Sequence, residues 1–163
     1  MEIRRATPAD ADGLAEQMKA VVDEGVWLAT QSDRTAADLA AMFRAQLEEG
    51  HLVFALEDGH AIVGAIGIHP TGIDGVHYLG MSILREFRGQ GWGRLLIDTA
   101  LASAAAAGVR KVVLEVFADN GRAIGLYAAS GFEIEGVKRN HYLRLDGSLR
   151  SAVLMARFLD GSG

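Results

Sequence analysis

A stretch of alternating glycines, Arg88-Gly89-Gln90-Gly91-Trp92-Gly93-Arg94, contains residue types that can bind an anion. It lies between a strand-like run, Val76 to Leu84, and a helix-forming run, Leu95 to Ala107. Glycine removes side chains from the turn, so a ligand can approach the backbone closely. The N–H groups that open a helix lack carbonyl partners, and the helix dipole adds partial positive charge there. With an arginine at each end, the stretch favours a phosphate or pyrophosphate site. A plain connection from strand to helix is the alternative.

A second segment, Asn120 to Phe132, follows the strand-like run Lys111 to Phe117. Asn120 favours the N-cap of a helix, because its side-chain oxygen can accept a hydrogen bond from the first turn. The same amide could also contact a ligand. Tyr127 lies two helical turns later among apolar residues, and this spacing alone is typical of a core tyrosine with a solvated hydroxyl.

Together the two segments resemble the signatures of the GCN5-related N-acetyltransferase (GNAT) superfamily. Its acyl-CoA signature is Gln or Arg, two residues, Gly, one residue, then Gly or Ala, and it matches Arg88, Gly91 and Gly93. The superfamily's pattern after the fifth strand matches Asn120, Ala123, Leu126, Tyr127, Gly131 and Phe132. The runs 131–136 and 154–157 look most like bacterial acetyltransferases that act on free L-amino acids and similar small amines.

The resemblance implies acetyl-CoA as the acyl donor. Backbone N–H groups of the glycine turn would hold the pyrophosphate, and the exposed edge of the fourth strand would pair with the pantetheine amides like an added strand. Tyr127 would be the catalytic acid that protonates the departing thiolate of CoA. The implied cofactor-binding residues are Met81, Ser82, Ile83, Arg88, Gly89, Gln90, Gly91, Trp92, Gly93, Arg94 and Asn120. In this superfamily the fourth strand bulges and splays from the fifth. Gly80 could form that bulge, or be a packing glycine.

No general base is assigned, although a primary ammonium with a pKa near ~10 must lose a proton. Many relatives have a glutamate on the fourth strand just before the position of Gly80, where this chain has His77, Tyr78 and Leu79. His77 has a suitable ordinary pKa, but a half-exposed strand residue is the simpler interpretation. Glu24, Glu115 and a chain of waters are other routes. Glu115 alternates with apolar neighbours, so it faces either solvent or the cleft.

Other chemistries are disfavoured by what the sequence lacks. There is no cysteine, which excludes a covalent acetyl-cysteine intermediate and leaves direct attack in a ternary complex. The five histidines have no metal-ligand spacing, so no metal is expected. The glycine turn is neither a Walker A motif nor a dinucleotide fingerprint. The serines lack the context of a hydrolase nucleophile.

Composition limits the class of protein and its partners. The 163 residues suit one domain with a full core, and we expect a single N-acetyltransferase domain over residues 1–163. The net charge of −5 without runs of basic residues disfavours nucleic acid. No signal-like start or membrane-length apolar run is seen. A cytoplasmic protein without membrane partners is therefore expected, and exposed sheet edges make a homodimer possible.

The elements that must position these residues have the order β-α-α-β-β-β-α-β-α-β-β. Capping boxes at Thr7 and Thr35 begin the first two helices, and a loop from Gly25 to Ser32 separates them. With the resemblance, this order predicts an α/β (α+β) fold. Its mixed, mainly antiparallel central sheet splays between strands 4 and 5 and is flanked by about four helices.

The expected reaction is acetyl transfer from acetyl-CoA to a primary amine, with a small amine or amino acid as acceptor. A protein N-terminus or lysine is the alternative acceptor, and a non-catalytic acyl-CoA sensor is the alternative class. Trp27 and Glu24 could line the acceptor pocket, although Trp27 could equally be a packing residue. Glu133 and Glu135 are most simply solvated charges, though they could attract a cationic amine.

Overall fold

Seven strands and four α-helices form the part of the chain that the computed structural model describes, residues 1–29 and 34–161. The elements are β1 (Glu2–Arg5), α1 (Ala11–Asp23), α2 (Ala36–Glu48), β2 (Leu52–Asp58), β3 (Ala61–Pro70), β4 (Val76–Ile83), α3 (Trp92–Ala106), β5 (Lys111–Phe117), α4 (Gly121–Ala129), β6 (Glu133–Leu143) and β7 (Leu149–Phe158). Residues 30–32 of the loop predicted over Gly25–Ser32 lie outside the described residues.

The two predicted capping boxes are present, with different outcomes. Thr35 accepts from the Asp38 N–H at 3.1 Å and donates its own N–H to the Asp38 carboxylate at 2.9 Å, and α2 begins directly after it. Thr7 donates its N–H to Asp10 at 2.7 Å, but a short 3₁₀ turn, Pro8–Asp10, intervenes before α1 begins at Ala11. Proline in that first turn costs nothing, because its missing N–H would have had no partner.

The sheet has the strand order β1-β2-β3-β4-β5-β7-β6, and every neighbouring pair except β4–β5 is antiparallel. The parallel pair is short: Val76, His77 and Tyr78 lie opposite Lys111, Val112 and Val113, and no later pair is made among the described residues. Both strands continue beyond that point, β4 to Ile83 and β5 to Phe117. The predicted mixed sheet that splays between the fourth and fifth strands is therefore confirmed.

Each face of the sheet has its own hydrophobic core. On one face α3 and α4 cover Leu56, Ile66 and Leu114, which are at most 2% exposed. On the other face α1 and α2 cover Val53, Ala55 and Ala65. Because side chains alternate along a strand, Gly67 and His69 share the α1/α2 face with Ala65. Within the described residues, no helix has both the length and the apolar content that a membrane crossing requires.

Two strands differ from the prediction. The sequence predicts the sixth strand over Gly131 to Lys138, whereas β6 runs from Glu133 to Leu143. The strand is longer because it resumes pairing with β7 after an irregularity between Lys138 and Tyr142. Asn140 within it adopts a positive φ of 50°. A bulge at Gly80, one of the two interpretations left open by the sequence, is absent, since β3 and β4 keep one unbroken register from Gly64↔Ile83 to Pro70↔His77. The sheet opens by ending its β4–β5 pairing, without an extra residue.

Candidate active site

A cavity of about 1120 Å³ lies where β4 and β5 separate. Its walls come from both faces of the sheet: Met18, Met42 and Phe43 on the α1/α2 side, and Leu126 and Tyr127 on the α4 side. Ten of the twelve residues predicted for the site line it; Gln90 and Trp92 do not. The side chain of Gln90 donates to the carbonyl of Glu86 at 2.8 Å, and Trp92 packs against the α3/α4 core.

The glycine turn presents unpaired backbone donors. Gly91 caps α3 with a φ of 89°, a left-handed conformation that favours glycine. None of the five N–H groups from Gly89 to Gly93 donates to a described carbonyl or side chain. The first N–H group of the helix that has an acceptor belongs to Arg94, and it donates to the carbonyl of Gly91 at 3.0 Å. A row of free N–H groups at a helix start suits a pyrophosphate.

The arginines of the turn are engaged inside the protein. Arg88 forms a two-point ion pair with Glu24, at 2.9 and 2.6 Å, and donates to the carbonyl of Ile83 at 2.7 Å. Arg94 bonds Asp98 at 2.9 Å and the carbonyl of Ala129 at 2.8 Å. Both side chains therefore join elements to one another, a role that the sequence did not suggest.

Arg122, which sequence reasoning missed, lies against the glycine turn. A Cβ built on Gly89 would be 2.6 Å from one of its guanidinium nitrogens. Arg122 also lines the cavity, and within the described part of the chain it forms no ion pair. The only sequence signal was its position two residues after Asn120, in the first turn of α4. Arg122 and the free N–H groups of the turn together fit a doubly anionic group.

The opened edge of β4 fits the pantetheine arm through alternate residues. Leu84 donates to the carbonyl of Val63 on β3, and the carbonyl of Ile83 is reached by Arg88. Hydrogen bonds alternate along an antiparallel ladder, so the N–H and C=O groups of Ser82 point toward β3. Those of Met81 and Ile83 point toward the cleft. The Ser82 hydroxyl donates to Gln17 of α1 at 3.0 Å. Of the three predicted backbone contacts, Met81 is thus the least encumbered.

Asn120 and Tyr127 lie on the α4 wall. Asn120 caps the helix, accepting from the Ala123 N–H at 3.1 Å, and its side chain also lines the cavity. Tyr127 is only 7% exposed and packs edge-to-face on Phe132, with ring centroids 5.8 Å apart. Burial, together with the nearby Tyr78, raises the pKa of the Tyr127 phenol. The hydroxyl therefore keeps its proton at neutral and mildly alkaline pH.

Glu115 faces the cavity rather than bulk solvent. It accepts hydrogen bonds from Lys138 at 2.5 Å and from the Tyr142 hydroxyl at 2.6 Å. Burial acts to raise the pKa of this carboxyl, but the bonds from Lys138 and Tyr142 outweigh it and the pKa is lowered. The irregularity in β6 brings both partners to one carboxylate, although they are four residues apart. Glu115 is thus a fixed negative charge in the wall.

The other sequence candidates for the base have different surroundings. Hydrogen bonding to Arg88, with a smaller contribution from Arg85 at 3.6 Å, lowers the pKa of Glu24. His77 does not line the cavity, and its Nδ1 is buried without a described partner. Glu135 pairs with Lys111 at 2.6 Å, and neither it nor Glu133 reaches the cavity.

The segment Gly25–Ala29 covers the α1/α2 end of the cavity, where Trp27, Leu28 and Ala29 line it. Two arginines of the β6–β7 hairpin hold this segment by its carbonyls. Arg144 donates to Leu28 at 3.0 Å and Gly25 at 3.1 Å, and Arg150 donates to Val26 at 2.5 Å. Trp27 therefore belongs to the cavity wall, one of the two interpretations the sequence left open.

A sheet opened between two parallel strands, beside a turn of free N–H groups, defines a class of enzymes that bind acyl-CoA thioesters. The model of the acetyltransferase (GNAT) family matches residues 16–132. The chain belongs to this family, and acetyl-CoA is its acyl donor. The predicted family, enzyme class and cofactor are thus confirmed, and the acceptor is not identified by these matches.

Individual relatives differ in what they acetylate. The chain is 30% identical over 114 residues to the [ribosomal protein bS18]-alanine N-acetyltransferase of Escherichia coli K12, covering 70% of this chain and 76% of that protein. It is 32% identical to mycothiol acetyltransferase of Geodermatophilus obscurus, covering 68% of this chain and 41% of that protein.

Solved structures share the fold. The Salmonella typhimurium protein yncA, solved with its cofactor acetyl-CoA, superposes with a TM-score of 0.89 at 20% identity, covering 100% of this chain and 96% of that one. A phosphinothricin acetyltransferase from Sinorhizobium meliloti in complex with AcCoA gives a TM-score of 0.85 at 22% identity, covering 96% and 87%.

Proposed function

We propose that this enzyme acetylates the primary amine of a compact acceptor with an apolar group, an amino acid or a related small amine. The α1/α2 end of the cavity supports this acceptor class. Its walls are mostly apolar, with Met42, Phe43 and Trp27 among them, and the ionised carboxylate of Glu115 also lines the cavity. An ammonium group is attracted to such an anion, while an apolar side group gains by burial.

Acetyl-CoA binds at the other end of the cavity, beside the glycine turn. Acetyl-CoA supplies the acetyl group as a thioester. The free N–H groups of Gly89 to Gly93 and the guanidinium of Arg122 hold the pyrophosphate, and the cleft-facing backbone of Met81 holds the pantetheine arm. An N–H group of β4 also polarises the thioester carbonyl, where it acts as an oxyanion donor. These residues position the carbonyl for direct attack by the amine.

Tyr127 supplies the proton that the leaving thiolate needs. Its phenol remains protonated because burial disfavours the charged phenolate. Transfer of that proton to sulfur completes the cleavage of the thioester bond.

A protein N-terminus is the second candidate acceptor, supported by the identity to bS18-alanine N-acetyltransferases. The two candidates differ on the carboxyl side of the residue that carries the amine. An amino acid has a free carboxylate there, whereas a protein continues as a peptide chain that the cavity would have to admit.

One assay separates them. Free thiol release would be measured with acetyl-CoA and matched acceptors: L-methionine, L-methioninamide, and hexapeptides beginning with Met or Ala. We expect kcat/KM for the single residues to exceed that for the peptides by about tenfold, or about 1.4 kcal/mol. A preference for the peptides would instead establish the N-terminal acceptor. Tight acetyl-CoA binding with no turnover of any amine would contradict both.

Glu115→Gln tests the acceptor contact within the same assay. The substitution preserves the shape of the side chain but removes its charge, so we expect the KM for the amine to rise while the KM for acetyl-CoA stays unchanged. Glu133→Gln, on the exposed part of β6, is the control.

A further inference from the structure

Three side chains form a row from solvent to the cavity, on the side of β3 away from β5. The Glu49 carboxylate, whose side chain is 67% exposed, lies 3.3 Å from Nε2 of His51. Nδ1 of His51 lies 3.0 Å from Nδ1 of His69, which lines the cavity. Since two ring nitrogens at this distance need one donor and one acceptor, the histidines share a single proton between them.

The free nitrogen of His69 lies at the start of the β4–β5 opening. His69 is the cross-strand neighbour of Tyr78, the last β4 residue that pairs with β5. Its ring extends over Gly67, where an added Cβ would overlap Nε2. Within the described residues Nε2 has no hydrogen-bond partner. It therefore occupies the same level of the sheet as the β4 positions from which the expected carboxylate is missing.

We propose that His69, His51 and Glu49 form a relay that carries the proton of the reacting amine to solvent. This inference rests on the acetyl transfer proposed above. As the nitrogen–carbon bond forms, Nε2 of His69 takes a proton from the amine nitrogen. His69 passes its Nδ1 proton to Nδ1 of His51, and His51 passes its Nε2 proton to Glu49 or to water. One proton enters the row and one leaves, so both rings stay neutral.

The surroundings of His69 favour a neutral ring that passes a proton on rather than one that stays protonated. Burial, and the neighbouring His51 and His77, lower the pKa of His69 to about 4. The ring is therefore neutral above that pH, with a lone pair available, and Tyr78 beside it is uncharged at neutral pH. Glu115, a carboxylate in the cavity wall, already accepts two hydrogen bonds and has a lowered pKa, which makes it a weak proton acceptor.

Two substitutions interrupt the row while leaving His69 in the chain. His51→Asn keeps a polar group near the Nδ1 position but loses the link to Glu49. Gly67→Ala adds a methyl group that must displace the His69 ring, a side-chain movement that strand β3 can accommodate. His60→Asn, in the exposed β2–β3 turn, is the matched control.

The rate experiment uses saturating acetyl-CoA and, of the acceptors named above, the one with the highest kcat/KM. We expect His51→Asn and Gly67→Ala to lower kcat about tenfold or more, with an unchanged KM for acetyl-CoA and an altered solvent deuterium isotope effect. His60→Asn should match the wild type. Wild-type kcat and isotope effect in both variants would overturn the relay, as would a full loss of kcat in Glu115→Gln alone.

A spectroscopic measurement tests the shared proton of His51 and His69 even if none of the acceptors named above is acetylated. Long-range ¹H–¹⁵N spectra of the wild-type protein report which nitrogen of each histidine carries the proton. We expect His69 to carry its proton on Nδ1, which leaves the lone pair of Nε2 free, and its ring to titrate near pH 4. A neutral His69 ring protonated on Nε2 could not accept the amine proton there and would overturn the relay. If both rings carry their protons only on Nε2, no proton is shared and the relay is overturned.

Discussion

The guanidinium groups around the glycine turn have different partners, and this separates their roles. Arg88 and Arg94 each hold a carboxylate and a backbone carbonyl. Arg122, in contrast, lies against Gly89 and forms no ion pair or hydrogen bond within the described residues. A cation that is not neutralised by the protein is the one that gains most from an anionic ligand. We therefore propose that Arg122 carries the side-chain share of pyrophosphate binding.

Substitution of Arg122 tests that role. Arg122→Ala should raise the KM for acetyl-CoA about tenfold, since a charge-assisted contact contributes about 1.5–3 kcal/mol, and should leave kcat at saturating acetyl-CoA unchanged. Initial rates over a range of acetyl-CoA concentrations measure this. Arg44→Ala, at an exposed pair on α2, is the control. An unchanged KM would remove Arg122 from the pyrophosphate site.

Loss of the Tyr127 hydroxyl should slow the chemical step. Tyr127→Phe removes the proton donor but keeps the ring against Phe132, so we expect kcat to fall at least about a hundredfold with little change in stability. Because burial raises the pKa of Tyr127, this deficit should persist across neutral and mildly alkaline pH. A pH–rate profile that coincides with the wild type would refute the acid role.

For individual residues, the sequence predicted which of them lie together at the cavity, but not the hydrogen bonds and ion pairs that position them. The glycines, Asn120 and Tyr127 came from local spacing and the family resemblance, and they do line one cavity. The partner of Arg88 could not be predicted, because Glu24 is 64 residues away in the chain. The His51–His69 contact was missed for a similar reason, since a turn and a whole strand separate the two residues.

Among the elements, β4 has the largest influence on the site. Leu79 is buried in the core, and every residue from Tyr78 to Ile83 lines the cavity. The sequence predicted this strand to within one residue, since Leu84 begins the next turn. The separation of β4 from β5 came only from the resemblance, because strand pairing depends on long-range contacts that periodicity does not reveal.

Gly80 gives a test of this strand. A Cβ built there meets no described atom within 4 Å, and its φ is not in the left-handed region. Gly80→Ala should therefore leave the free energy of unfolding unchanged or raise it slightly, while its methyl group enters the cavity and lowers kcat/KM at least about tenfold. Urea unfolding and the thiol assay measure the two effects. Full activity would show that no ligand passes over Gly80.

On the scale of the whole molecule, ties between distant segments fix the shape of the cavity. Glu24 at the end of α1 is joined to Arg88 in the glycine turn, so one ion pair links the first helix to that turn. The hairpin arginines Arg144 and Arg150 reach back more than a hundred residues to the segment that carries Trp27. Both ties link the region between α1 and α2 to elements from much later in the chain.

The Glu24–Arg88 tie should contribute to stability in a pH-dependent way. Arg88→Met leaves Glu24, whose side chain is 13% exposed, without its main partner, so we expect a loss of about 2 kcal/mol at pH 7. Hydrogen bonding to Arg88 lowers the pKa of Glu24 from its ordinary 4.5. The contribution is thus complete above that value and disappears as the pH falls through the lowered pKa.

Urea unfolding of the wild type and Arg88→Met at several pH values measures this contribution, with Arg44→Met as the surface control. The difference between wild type and variant should be constant near neutrality and shrink in acid. A difference that grew as the pH fell would contradict the assignment.

The cavity passes through the sheet instead of lying on one face of it. An anionic cofactor and a cationic amine can therefore reach the reacting carbon from opposite sides of the molecule. In the proposed reaction, neither has to leave before the other enters. A single compound that links CoA covalently to the amine through that carbon would occupy both ends of the cavity at once. We therefore expect such bisubstrate compounds to be strong inhibitors.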